Sequence, residues 1–144
     1  MPPPPPLPPP PPPPDAFTLE VRVTDAELDE RRHVNNVVYL RWVQEAAVAH
    51  WEWLSTPEQR DRFAWVALRH EIDYLAPGVL GDALELRTWV GPSEGLAFER
   101  HTEVRRPRDG RVLARARTLW CPVDAKTGRP KRVDADVRAL VSRR

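Results

Sequence analysis

Asn35-Asn36-Val37-Val38-Tyr39-Leu40-Arg41-Trp42-Val43-Gln44-Glu45-Ala46-Ala47-Val48-Ala49-His50-Trp51-Glu52-Trp53-Leu54 reads as one long helix. Asn35 or Asn36 offers the side-chain acceptor that the unpaired N–H groups of a helix start require. Beyond that cap, Val37, Val38, Tyr39, Leu40, Trp42, Val43, Ala46, Ala47, Val48, Ala49, Trp51, Trp53 and Leu54 leave little polar face. A helix apolar nearly all round has to be enclosed. No apolar run in the chain approaches the roughly 20 residues that span a bilayer, so the enclosure must be protein.

The flanking sequence supplies it. From Phe17 to Val23, apolar Phe17, Leu19, Val21 and Val23 alternate with Thr18, Glu20 and Arg22, the pattern of a half-buried strand. Thr24 to His33 is polar and reads as a loop. After the helix, Pro57 and the charged residues behind it read as a surface connection. Four strand-like runs follow. Phe63 to Leu75 ends at Pro77-Gly78, and Ala83 to Val90 ends at Gly91-Pro92. Leu96 to Arg106 and Arg111 to Val123 flank Asp109-Gly110, a strong hairpin signal. Asp134 to Val141 is a short helix with Asp134 as its cap. Consecutive short connections favour antiparallel pairing. One antiparallel sheet wrapped around one long buried helix, an α+β arrangement, satisfies both the strand alternation and the helix composition.

The 144 residues allow one domain, expected over residues 16–144. Residues 1–15 are set apart: twelve of the eighteen prolines lie within the first fourteen positions, broken only by Leu7. Such a run has almost no backbone donors and is expected to be a disordered or extended tail outside the core. It lacks the basic start and apolar centre of a secretory signal. Lys plus Arg is 22 against 21 for Asp plus Glu, a balance that gives no global reason to expect nucleic acid or an anionic membrane as partner. The single Cys121 excludes an internal disulfide and a cysteine-rich metal site, and suits a reducing, cytoplasmic setting.

Chemistry concentrates in Asp29-Glu30-Arg31-Arg32-His33-Val34-Asn35-Asn36, which brings a carboxylate, an imidazole and two amides to the start of the long helix. The unsatisfied N–H groups and positive dipole end there can polarise a carbonyl, and a nearby carboxylate can act as base or nucleophile. The same residues also allow a purely structural reading, in which the asparagines cap, His33 packs and Asp29 is a loop acid.

His33-Val34-Asn35-Asn36-Val37-Val38-Tyr39, with Asp29 four residues before the His, resembles the hotdog thioesterases related to 4-hydroxybenzoyl-CoA thioesterase and the plant acyl-ACP thioesterases. Glu71-Ile72-Asp73-Tyr74-Leu75-Ala76-Pro77, followed by Gly81-Asp82, is a second block similar to theirs. The resemblance covers roughly residues 17–133. It implies the hotdog fold, hydrolysis of an acyl-CoA or acyl-ACP thioester without cofactor or metal, and a homodimer or homotetramer. Residue by residue, Asp29 falls on the family's catalytic carboxylate. His33 and Asn35 or Asn36 fall on residues that orient the thioester or the attacking water. The alternative is a non-catalytic hotdog module that binds acyl-CoA. A hotdog dehydratase or hydratase is the third reading, but the His and acidic motif of those enzymes is not evident.

The chain departs from the pattern at three places. Arg32 stands where many bacterial members have Gly, Arg31 where the plant enzymes carry a catalytic Asn, and Glu27 where bacterial relatives often have Asp. Either the loop geometry differs, or the arginines help to bind an anionic group. Elsewhere, Glu45 on the apolar helix requires a partner if buried. Arg105, Arg106, Arg108 and Arg111 cluster at the hairpin, where they can meet phosphates or remain solvated turn charges. His70 reads as a hydrogen-bonded residue on an apolar strand face. His50 and His101 make no metal-ligand spacing.

Overall fold

The computed structural model describes residues 1–4 and 10–142. The tail expected over residues 1–15 therefore lies partly outside the described residues, at positions 5–9. The elements in chain order are β1 (Phe17–Arg22), α1 (Asn36–Leu54), α2 (Pro57–Arg62), β2 (Phe63–Tyr74), β3 (Ala83–Glu94), β4 (Ala97–Arg106), β5 (Arg111–Asp124) and α3 (Ala135–Val141), with a short 3-10 turn at Asp25–Glu27 between β1 and α1. The strands form one sheet in the order β1-β3-β4-β5-β2. All four pairings are antiparallel, as the short connections require.

Two local readings are corrected. Pro57 opens a helix rather than a plain connection. Thr56 accepts from the Gln59 amide at 3.2 Å while the Gln59 side chain accepts from the Thr56 amide at 2.9 Å, a capping box with Pro in the first turn. The third strand does not stop at Gly91-Pro92 but runs on to Glu94. The register of β3 against β4 shifts between Val90 and Ser93. That irregularity is what admits a proline, which cannot donate to a regular ladder. The turn falls instead at Gly95, whose φ of 61° suits glycine. Asp134 occupies the cap position of α3 without a capping hydrogen bond, because its carboxylate is paired with Arg62.

α1 lies on the sheet and buries Val38, Tyr39, Trp42, Val43, Ala46, Ala47 and His50. Its first half packs on Leu84, Leu86, Val104 and Leu113 in the main core. A second cluster, under the far end of α1, joins Phe63 and Phe98 to Val133, Val137 and Val141 of the C-terminal segment. Within one chain the enclosure is one-sided, since Val37, Val48 and Trp53 of α1 stay exposed. The long edge strand β2 likewise presents Val66 and Leu68, the latter at a bulge between Ala67 and Arg69. No helix among the described residues is long and apolar enough to cross a membrane.

Candidate active site

The loop that feeds α1 is a small hairpin closed on itself. Leu28 and Val34 pair as an antiparallel bridge. Inside it the Asp29 amide donates to the His33 carbonyl at 2.8 Å and the Arg32 amide to the Asp29 carbonyl at 3.0 Å. Asp29, half-buried, accepts with Oδ1 from the amides of Arg31 (2.9 Å) and His33 (3.1 Å). Its second oxygen has no donor among the described residues. One half of the carboxylate thus holds the loop's shape and the other half is available for chemistry.

Arg32 sits at the tip with φ of +64°, the left-handed conformation that glycine adopts freely and other residues rarely do. The loop geometry is therefore compatible with a glycine there, and the arginine takes the strain. Its guanidinium turns away to Asp25 at 2.7 Å, an exposed pair. The Arg31 side chain is exposed and has no partner among the described residues.

At the loop's exit the structure decides which asparagine caps. Asn35 Oδ1 accepts from the Val37 amide at 3.1 Å, while the Asn35 amide is tied to the Glu27 carbonyl at 2.9 Å. Asn36 begins the helix with an exposed side chain, and its amide has no acceptor among the described residues. No acid lies in the first turn of α1, so nothing there neutralises the positive dipole end. The His33 ring is half-buried without a hydrogen-bond partner among the described residues. Glu27 caps the preceding turn. The Thr24 amide donates to it at 2.7 Å, and this bond, chiefly, holds its carboxyl below the usual carboxylate range.

The second sequence block packs directly against this first one. The Val34 amide donates to the Gly78 carbonyl at 2.9 Å, and the Gly78 amide donates to the buried Tyr39 hydroxyl at 3.0 Å. The Tyr74 hydroxyl donates to the Asn36 carbonyl at 3.2 Å. Asp82 is buried and structural: it accepts from the Val79 amide and from Arg106, each at 3.0 Å. Arg106 is shared with Asp109 at 2.8 Å, which holds the Asp109 carboxyl down at about 2. Arg105 reaches Glu85 and Arg108 reaches Asp82, so three of the hairpin arginines are paired internally. Glu45 is exposed and paired with Arg41 one helical turn back. His70 meets Thr118 at 3.0 Å, and burial lowers its pKa. Among the described residues no group of three His, Cys, Asp or Glu is arranged to hold a metal.

A second feature escaped the sequence reading. Between α1, β2, β4, β5 and α3 lies an apolar cavity of about 210 Å³ lined by residues including Ala47, Val48, Trp51, Trp65, Phe98 and Trp120. Arg100 of β4 is in its wall although it is only 7% exposed. Its Nη1 donates to His50 Nδ1 at 2.8 Å and to Thr88 Oγ1 at 3.0 Å. Burial, and secondarily the neighbouring guanidinium, push His50 down to about 4, so it is neutral and able to accept. Burial also lowers Arg100 to about 10, which leaves it charged at neutral pH. The available signal was Arg100 falling between Phe98 and Val104 on the inward alternation of its strand.

An antiparallel five-stranded sheet carrying one long helix is the hotdog architecture of thioesterases. The chain belongs to the thioesterase-like superfamily, whose family model matches residues 12–141. It is 27% identical over 127 residues to the long-chain acyl-CoA thioesterase FadM of Escherichia coli (strain K12), covering 83% of this chain and 92% of that one. It is 30% identical over 84 residues to the chloroplastic acyl-[acyl-carrier-protein] hydrolase FATB3 of Cuphea viscosissima, covering 58% of this chain but only 20% of that longer protein. The 1,4-dihydroxy-2-naphthoyl-CoA thioesterase Slr0204 from Synechocystis shares the fold with a TM-score of 0.76 at 21% identity, over 88% of this chain and 95% of the other.

Proposed function

We propose that the protein hydrolyses an acyl thioester of coenzyme A or acyl carrier protein to the free acid and thiol. The observation that carries this reading is the half-engaged Asp29 carboxylate, fixed by its own loop beside a helix start whose Asn36 N–H is unspent. In the general-base form, Asp29 takes a proton from water as the water oxygen bonds to the thioester carbon. The carbonyl oxygen becomes an oxyanion stabilised by the free Asn36 N–H and the positive end of the α1 dipole. Collapse breaks the C–S bond, and the thiolate recovers the proton. In the nucleophilic form, an Asp29 oxygen bonds to the thioester carbon and the C–S bond breaks, expelling the thiolate and leaving a mixed anhydride. Water then cleaves the anhydride to the free acid and the Asp29 carboxylate, and its proton goes to the thiolate. His33 and the two asparagines orient the reacting groups around this centre.

The acyl group runs along α1. Val37, Leu40, Gln44, Val48 and Trp51 follow one another at helical spacing from the N-terminus towards the apolar cavity. Ala47 to Trp51 lies roughly 17–22 Å along the helix from Asn36, the reach of a medium to long acyl chain. The working unit is a homodimer in a cytoplasmic setting, with the unpaired β2 edge and the exposed face of α1 covered by a second copy.

Release of free thiol from a panel of acyl-CoA and acyl-ACP thioesters tests the activity. Hydrolysis of at least one chain class is the expected result. Saturable acyl-CoA binding without any thiol release would replace the hydrolase with a binding module. In that reading Asp29 Oδ1 serves only its two loop amides.

A further inference from the structure

Arg100 is a buried cation without a buried anion. No carboxylate lies within ion-pair distance of it among the described residues; its partners are a neutral imidazole and a hydroxyl, both met through Nη1. The remaining guanidinium donors, Nε and Nη2, have no acceptor there. Glu99, next in the chain and also at the cavity, is committed elsewhere: it is paired with Arg117 and sits 3.0 Å from His101 Nε2. The rings of Trp65 and Trp120 line the same cavity, with indole nitrogens that are fully buried and without partners. Buried donors without acceptors are rare in folded proteins, and unpaired buried charge rarer still. A buried cation with spare donors and no anion, set in the wall of an apolar cavity, describes a site completed by an acceptor that arrives with the ligand.

We infer that the cavity receives the far end of an acyl group that carries a terminal carboxylate, with Arg100 as the residue that selects it. This rests on the hydrolase reading above and names its substrate class: the mono-thioester of a dicarboxylic acid. The chain's methylenes lie against Ala47, Val48, Trp51 and Phe98, and the distal carboxylate supplies the anion that Arg100 lacks. The guanidinium is preorganised for this, because His50 and Thr88 hold Nη1 and leave the rest of the fork free. His50 is in turn stacked on Phe17 at 4.9 Å, so the support reaches through α1 to β1.

The test compares kcat/KM for hexadecanoyl-CoA with that for the mono-CoA thioester of hexadecanedioic acid, in the wild-type enzyme and in Arg100→Met. The wild type should favour the carboxylated substrate by about tenfold or more, the scale of one hydrogen-bonded charge. In Arg100→Met that ratio should fall to one or below. A ratio within one protein is independent of the fraction that folds. A wild-type preference for the methyl-ended chain overturns the assignment even if the variant does not fold. An equal loss on both substrates in the variant overturns it too, as does a preference for a hydroxyl-ended chain over the carboxylated one. If neither thioester releases thiol, the hydrolase reading fails separately. Quenching of tryptophan fluorescence by free hexadecanedioate against hexadecanoate then decides the cavity. Tighter binding of the diacid supports the inference, and equal or weaker binding overturns it.

Discussion

The Gly78 amide donates to the Tyr39 hydroxyl across 3.0 Å, a buried bond that joins the turn after β2 to the first turn of α1. The approach is close because there is no side chain at 78. A Cβ there would lie 2.8 Å from Val34 Cγ2, 3.2 Å from the Tyr39 hydroxyl and 3.3 Å from Leu113 Cδ2. Gly78→Ala is therefore expected to destabilise by about 1–3 kcal/mol through overpacking against three fixed neighbours. Tyr39→Phe should cost a similar ~1–3 kcal/mol by leaving the Gly78 N–H buried and unpaired. Chemical denaturation measures both. Wild-type stability in the two variants would remove this contact as the anchor of the helix start.

Asp29→Asn separates the two jobs of the carboxylate. The amide oxygen still accepts from Arg31 and His33, so the loop should keep its shape, while the charge that activates water or forms the anhydride is gone. Turnover is expected to fall by at least about a hundredfold with the unfolding midpoint nearly unchanged. Near-wild-type rates in the folded variant would take Asp29 out of the mechanism.

At position 32 the backbone decides the outcome. Arg32→Gly relieves roughly 1–2 kcal/mol of left-handed strain. It also loosens the unfolded chain by about 0.5–1 kcal/mol and removes an exposed ion pair worth little, so its net effect should be within about 1 kcal/mol of zero. Arg32→Val keeps the φ of +64° and adds a β-branched side chain that tolerates it poorly. It should destabilise by about 1–3 kcal/mol. Equal stability of the two variants, measured by urea titration, would contradict the assigned backbone conformation.

Burial of His50 makes stability depend on pH. The unfolded imidazole titrates near 6.5 and the folded one at about 4, so between these values the unfolded state holds the extra proton. The contribution is fully present above about 6.5 and is lost as the pH falls towards 4. The groups packed against the ring are Arg100, Phe17 and Trp53, and only Arg100 is charged. In His50→Gln, which can accept from Arg100 but does not titrate, the drop in unfolding free energy from pH 7 to 4.5 should shrink by on the order of 2 kcal/mol. Identical pH profiles for the two proteins would show that folding does not shift the titration of His50.

The open edge of β2 carries Leu68 at 58% exposure beside Val66 at 49%. Sedimentation at micromolar concentration is expected to give a dimer for the wild-type chain. Leu68→Lys, a charge on a strand edge, should weaken association by tenfold or more, on the order of the apolar burial it removes. A wild-type monomer under those conditions would leave this edge without a partner copy.

Much of the architecture was legible locally. α1 could be bounded to within a residue because its cap and its apolar run are properties of neighbours along one helix. The β4–β5 hairpin was readable because Asp109-Gly110 demands a glycine conformation, which Gly110 adopts at φ of 70°. The α2 capping box is equally present in Thr56-Pro57-Glu58-Gln59, but the segment has no apolar face to mark it as a helix. The strand through Pro92 was not legible, since the register irregularity that accommodates the proline belongs to the pairing with β4 rather than to β3 itself.

By itself the sequence determined the antiparallel α+β fold, the order of its main elements and the loop where Asp29 meets the helix start. Each of these depends on interactions within a few residues or on a simple period. Tertiary structure alone decided that Asn35 rather than Asn36 caps α1, that Arg32 holds a left-handed backbone, and that the hairpin arginines are mostly consumed by Asp82, Asp109 and Glu85. It also decided that Arg100 is buried beneath α1 without a counter-ion among the described residues. That last fact arises where β3, β4 and α1 meet. Alternation along β4 can turn a side chain inward, but whether an anion waits there depends on residues brought together from distant parts of the chain.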